Sequence, residues 1–241
     1  MTDPGAGSTI SRVYVYVDGF NFYGATKGTK AYPFGWCDWR LTAENYCGPS
    51  RQVRKVKYFT SRITDQDEAR RERQTLHLKA MATIAEIIYG RFVPREQRCG
   101  NCGQFKQFAR EKMTDTNIAI HMVLDAAANR YDEAFLVTAD MDLVPAVQMV
   151  TDPKHFRTPR KVTVLVPPYA DTSREFRETM DDLSNSVRII DLRVTNLVRF
   201  PHDLAGKLGH DFPEHWAEGS TGPPIKNLSP RRDRSGSHNR P

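Results

Sequence analysis

The run Val13-Tyr14-Val15-Tyr16-Val17 leads into Asp18-Gly19-Phe20-Asn21, and this junction constrains the chain more than any other stretch. Its β-branched and aromatic residues suit a buried strand. Asp18 then falls where that strand ends, and Gly19 lets the backbone turn tightly behind it. In open α/β sheets, ligands bind at the carboxyl ends of the strands. A carboxylate there, with a short amide side chain three residues on, can present oxygens to a hard cation. Asp-Gly after an apolar run is by itself an ordinary turn. A second stretch repeats the plan, however: Ala134-Phe135-Leu136-Val137-Thr138-Ala139 runs into Asp140-Met141-Asp142.

The rest of the chain alternates in the same way. Residues 53–60 read as a strand, and residues 162–166 and 187–190 as two more. Helical spacing of Leu76, Lys79, Ala80, Thr83, Ile84, Ile87 and Ile88 predicts one long helix over 65–89, capped by Thr64 or Asp65 and ended by Gly90. Arg70, Arg71 and Arg73 lie early in it, as a solvated face or as phosphate contacts. A helix opening at 111–117 and running to about 129 has Ile120, Val123, Leu124 and Ala127 as its predicted core stripe, with Asp115 at its start, where an N-cap carboxylate is the ordinary explanation. Val144, Val147 and Met149 mark the next helix, and Thr172 or Ser173 starts another. Strands alternating with helices predict a layered α/β fold with a mainly parallel sheet. The aromatic stretch 32–39 reads as a hydrophobic plug over the core rather than a base-stacking surface.

Composition narrows the class. With 241 residues, 39% of them hydrophobic, the chain suffices for one well-buried domain with tails. No apolar run approaches the ~20 residues that span a bilayer, and residues 1–8 lack the pattern of a signal peptide. A cytoplasmic protein without membrane contact is therefore expected. The formal net charge of +6 is uneven: the last 20 residues hold Lys226, Arg231, Arg232, Arg234 and Arg240 against Asp233. Residues 1–11 read as a flexible lead-in, 12–200 as the main domain and 201–241 as an extension. The stretch 219–241 reads as disordered and basic, either able to hold a phosphate-rich partner electrostatically or a solubility tail with no role in binding. A hairpin near 92–108 carries Cys99 and Cys102 at zinc-knuckle spacing, with Cys37 and Cys47 as possible further ligands of a structural Zn²⁺. A plain turn is the other reading.

Asp18, Asp115, Asp140 and Asp142 all fall at element ends. Each has an ordinary role as a cap or turn residue. Jointly they describe one acidic pocket, whose members repel unless a cation neutralises them. Oxygen-only ligands favour Mg²⁺ or Mn²⁺, and such ions can polarise a phosphodiester and activate water.

Three motifs, in order, are similar to the NYN domains of the PIN-like nuclease superfamily, in the LabA-like bacterial branch. They are Tyr16-Val17-Asp18-Gly19-Phe20-Asn21, Glu111-Lys112-Met113-Thr114-Asp115 and Val137-Thr138-Ala139-Asp140-Met141-Asp142-Leu143-Val144-Pro145. The resemblance covers about residues 12–192 and extends to the Cys-x-x-Cys knuckle of some members. It implies a Rossmann-like three-layer α/β/α sandwich and metal-dependent cleavage of RNA, with Asp18, Asp115, Asp140 and Asp142 as the acidic site. Asn21 would orient that site or contact a ligand, and Lys112 would meet a substrate phosphate or be a surface lysine. The sequence departs from the family at His121, where many relatives have Asp or Glu, and at Ala139, which replaces the more usual glycine.

The expected function is a Mg²⁺/Mn²⁺-dependent ribonuclease in which water attacks the phosphodiester directly. His121 as catalytic base is a lesser possibility. An RNA-binding or regulatory module with little cleavage is the alternative from another class. A haloacid dehalogenase-type phosphatase is disfavoured, because Tyr16 occupies the place of its nucleophile.

Overall fold

Alternate residues of the first strand, β1 (Ser11–Asp18), are apolar toward both sides, so it can only be a central strand. Val13, Val15 and Val17 face one core and Tyr16 the other, all of them buried. In the computed structural model, which describes residues 10–63, 67–98 and 102–217, the chain continues through α1 (Gly19–Thr26), α2 (Trp39–Glu44) and β2 (Arg51–Thr60). Next come α3 (Glu68–Ala82), β3 (Glu86–Tyr89), the hairpin β4 (Arg91–Arg98) and β5 (Phe105–Lys112), and α4 (Thr114–Ala127). The second half comprises β6 (Glu133–Val137), α5 (Val144–Thr151), β7 (Lys161–Val166), α6 (Arg174–Asp181), β8 (Val187–Asp191) and α7 (Asp203–Lys207).

Six strands pair parallel in the order β3-β2-β1-β6-β7-β8, while β4 and β5 form a separate antiparallel ribbon. One core, against α2 and α3, takes Val13, Val15 and Val17, Phe135 and Val137, with Trp36, Trp39, Leu76 and Met81. The other, beneath α4, α5 and α6, takes Tyr16, Phe59, Leu136, Ile118, Met122, Val147 and Phe176. This is a Rossmann-like three-layer α/β/α sandwich with a parallel main sheet. The aromatic stretch is a plug: Trp36 stacks on Trp216 with ring centroids 5.1 Å apart and meets Phe200 edge-on. No helix among the described residues is long and apolar enough to cross a membrane. The lead-in 1–9, Thr64, Asp65, Cys99 and the stretch 219–241 lie outside the described residues.

Two sequence expectations are corrected. The long helix over 65–89 is instead α3 followed by β3, with Asp67 as the N-cap accepting from Arg70 N at 3.1 Å. The isoleucines at 87 and 88 suit a helix or a strand, but β-branched residues gain more on a pleated edge strand than in a helix. In β3, Ile87 packs toward one core and Ile88 toward the other. Gly90 therefore caps no helix. It joins β3 to β4 where a Cβ would come within 2.7 Å of Lys112 O, Glu111 Oε1 and Ser61 Oγ. The inward stripe of α4 is also shifted: Ile118, Met122, Asp125 and Ala126 are buried, whereas Ile120 and Leu124 are 49% and 60% exposed.

A buried charge cluster holds α4 in that rotation. Lys57 of β2 donates to Asp125 Oδ2 at 2.5 Å, Tyr16 OH to the same oxygen at 2.8 Å, and Arg130 to Asp125 Oδ1 at 2.8 Å. Asp125 and Lys57 are both buried. Burial opposes the Asp125 charge, but the bonds from Lys57, Tyr16 and Arg130 outweigh it and hold its pKa below the usual carboxylate range. Removing one partner strands the others, whereas apolar replacement of the pair does not. Asp125→Ala is expected to lower unfolding free energy by ~3 kcal/mol or more, and the Lys57→Met/Asp125→Leu double variant by clearly less. Denaturant titration of the three proteins measures both.

Candidate metal centre

The strand order reverses between β1 and β6, since the chain builds outward to β2 and β3 and then returns to the other side. A crevice opens at such a switch point, outside the carboxyl ends of the two strands. Asp18 ends β1, and Asp140 follows β6 by three residues. The α4 helix crosses behind them and brings Asp115 in its first turn. One oxygen from each of Asp18, Asp115 and Asp140 lies within 4.8 Å of the others.

Local bonds fix this geometry. Asp18 is the N-cap of α1, its Oδ1 accepting from Asn21 N at 3.0 Å. Gly19 matters less for a turn than for proximity: a Cβ there would stand 2.6 Å from the Tyr58 ring. Asn21 Oδ1 accepts from Ala139 N at 3.0 Å, tying α1 to the loop after β6. Ala139 needs no positive φ, so replacing glycine costs nothing there. Thr138 Oγ1 bridges the two acids, lying 3.4 Å from Asp18 Oδ2 and accepting from Asp140 N at 3.1 Å.

Asp115 is not the cap of α4. Met113 occupies that position in the left-handed region, φ 80°, without a side-chain bond. The helix start is served by Glu111, whose Oε1 accepts from Thr114 N at 3.2 Å, from Thr114 Oγ1, and from Ser61 Oγ at 3.2 Å. Asp115 is thereby left without a capping role.

Electrostatics mark the cluster as costly without a cation. Asp18 is only 3% exposed. Burial above all, then the charges of Asp115 and Asp140, push its pKa up to about 7 against the pull of Asn21 N. Asp115 is raised to about 6 by burial and by Asp140, Glu111 and Asp142. Three convergent carboxylates with no basic partner in the group form an oxygen donor set of the kind hard divalent cations take. The residues present fit such an ion.

The other sequence-derived candidates are placed differently. Asp142 is exposed, outside the group of three; its backbone N donates to Asp140 Oδ1 at 3.0 Å, and its charge acts on Asp115. Lys112 ends β5 opposite Arg91, three residues before Asp115. His121 belongs to the Lys57–Asp125 cluster, its Nδ1 3.1 Å from Lys57 Nζ, and burial and Lys57 lower its pKa. Cys37 and Cys47 are buried in the body, where burial pushes their thiols up to about 12 and about 11. Cys102 is exposed, and its knuckle partner Cys99 is outside the described residues. Sequence reasoning missed Thr138 and Glu111 as the residues that hold the acids. The signal for Thr138 was its hydroxyl two residues before Asp140.

Comparison with known proteins follows the same span. The family model described as NYN domain matches residues 12–186. A curated relative, the 6-hydroxy-3-succinoylpyridine 3-monooxygenase of Pseudomonas putida, is 26% identical over 208 residues. The match covers 71% of this chain and 63% of the relative, so this chain spans less than two thirds of the relative's length. A solved structure of a protein of unknown function from Vibrio parahaemolyticus aligns at TM-score 0.45 and 20% identity, covering 82% of this chain and 100% of that one.

The raised carboxyls make a pH prediction. Both bind protons more tightly folded than unfolded, so their contribution to stability is full below about pH 4 and is lost as pH rises through about 6 to 7. In EDTA, Asp18→Asn is expected to raise Tm at pH 8 by several degrees, at about 2–4 °C per kcal/mol, and to change it little at pH 4.5. Mn²⁺ at pH 8 should raise the Tm of the wild type and not that of the variant. Differential scanning calorimetry at both pH values checks this.

Proposed function

Because the chain belongs to the NYN-domain family, within the PIN-like nucleases, we propose that it is a Mg²⁺- or Mn²⁺-dependent ribonuclease acting at Asp18, Asp115 and Asp140. The observation that carries this reading is the convergence of three carboxylate oxygens within 4.8 Å at the switch point of the sheet. A divalent cation held there supplies Lewis-acid polarisation of a phosphodiester and a lowered pKa for water.

The chain's own residues do the positioning. Asn21 N and Thr138 hold the Asp18 carboxylate, and Asn21 Oδ1 holds the loop that carries Asp140. Glu111 satisfies the start of α4, which frees Asp115 for the cation. Asp142 stands on the exposed rim, where its charge completes the field around Asp115. Lys112 enters the reading as a contact to an RNA phosphate. His121 has no role in this reading; its Nδ1 lies 3.1 Å from Lys57 Nζ.

The monooxygenase relative supplies the second reading, resting on its 26% identity. Purified protein is expected to degrade labelled RNA with Mn²⁺ and to stop with EDTA. Asp140→Asn should cut that rate by about a hundredfold or more, the scale of losing one preorganised electrostatic group, with an unchanged circular dichroism spectrum. RNA bound but uncut would favour a regulatory module. Consumption of 6-hydroxy-3-succinoylpyridine by the same preparation, with no RNA cleavage, would favour the relative's chemistry.

A further inference from the structure

The β4–β5 ribbon meets the metal centre only at its end, through Glu111 and Lys112. Its strands contain six basic residues and two acids. Their antiparallel register sorts them, because residues directly opposite share a face and neighbours along a strand alternate. Among the described side chains, one set holds Arg91, Arg95 and Lys112 and no acid. The other holds both acids, Glu96 and Glu111, and a single basic residue, Arg98.

The acid-bearing set is fastened to the body. Phe92 meets Phe20 edge-on with centroids 5.7 Å apart, two residues beyond Asp18. Glu111 binds Thr114 and Ser61 beside Asp115. The ribbon leaves the sheet at Gly90, whose N donates to Thr60 O at 2.8 Å, and returns at Lys112. Both ends of the ribbon therefore stand at the end of the sheet that carries the acids.

On the other set, Arg91 and Arg95 are exposed and Lys112 is half-exposed. Among the described residues these three have no ion-pair partner. Near the tip, on the acid-bearing side, Phe105 is 67% exposed opposite Arg98. Eight residues per strand at ~3.3 Å each make an arm about 26 Å long. Such an arm, with cations free along one side and an aromatic face at its end, is complementary to a flexible polyanion with exposed bases. A protein partner would have to match this row of cations with acids, whereas single-stranded nucleic acid carries a phosphate on every residue.

We infer that the β4–β5 ribbon is a holding arm for single-stranded RNA, its basic face engaging phosphates beside the acid site and Phe105 stacking on a base. This deepens the ribonuclease reading and takes its RNA substrate from it. The experiment separates the two. Affinity of the full chain for a labelled single-stranded RNA is measured by anisotropy in EDTA at several salt concentrations. No cleavage is needed for the measurement.

Arg91→Gln/Arg95→Gln is expected to weaken binding at low salt and to flatten the log–log salt slope by about 1.4, the loss of two single-strand phosphate contacts. Lys161→Gln/Arg188→Gln removes the same charge from exposed positions on β7 and β8 and should leave the slope unchanged. Phe105→Ala should weaken binding severalfold without altering the slope, because stacking releases no counterions. This third variant decides the matter if the arginine pair fails to fold. Equal slopes for wild type and ribbon variant, equal losses from both charge pairs, or no effect of Phe105→Ala would overturn the inference. RNA bound through the ribbon but never cut with Mn²⁺ leaves the arm standing and removes the nuclease. Cleavage with an unaltered salt slope removes the arm alone.

Discussion

Burial of the Asp18 carboxylate at the end of the central strand is the constraint on which the rest of the structure depends. A charge placed where only 3% of the residue meets solvent is expensive. The chain spends four separate features on holding it: the α1 cap at Asn21, the Thr138 hydroxyl, the close packing of Gly19 on Tyr58, and the reversal of strand order that opens a crevice beside it. None of these removes the repulsion from Asp115 and Asp140, which raises the proton affinity of the site. The fold thus holds three acids in an arrangement that a divalent cation would relieve.

The α4 helix links this site to the core. Its first turn carries Asp115, and its last turns carry Asp125, locked to Lys57, Tyr16 and Arg130. A rigid helix fixed at one end has its other end fixed in rotation as well. The buried ion cluster therefore sets which way Asp115 points, although it lies more than two helical turns away along the chain. His121 is drawn into the same cluster and does not join the candidate metal group.

Much of the α/β order was legible in advance, because strand ends and acids coincide at Asp18 and Asp140 and the β-branched runs are short. The failures have specific causes. Ile87 and Ile88 suit a helix or a strand, and only the vacant edge of β2 decides between them. Ile120 and Leu124 are apolar enough to read as core, yet the inward face is the one that carries a charge. Local hydrophobicity cannot reveal that an aspartate will be buried, because its partner Lys57 is 68 residues away.

From the sequence alone came the alternation of strands and helices, β1 as a buried strand, the acids at the ends of elements and the hairpin near 92–108. All of these follow from periodicity and backbone preference, which act over a few residues. Tertiary structure alone decided that Asp18, Asp115 and Asp140 converge while Asp142 stays on the rim, that Glu111 rather than Asp115 serves the start of α4, and that the ribbon stands beside the acids. These depend on strand order and helix rotation, which are set by contacts between residues far apart in the chain and leave no periodic trace in it.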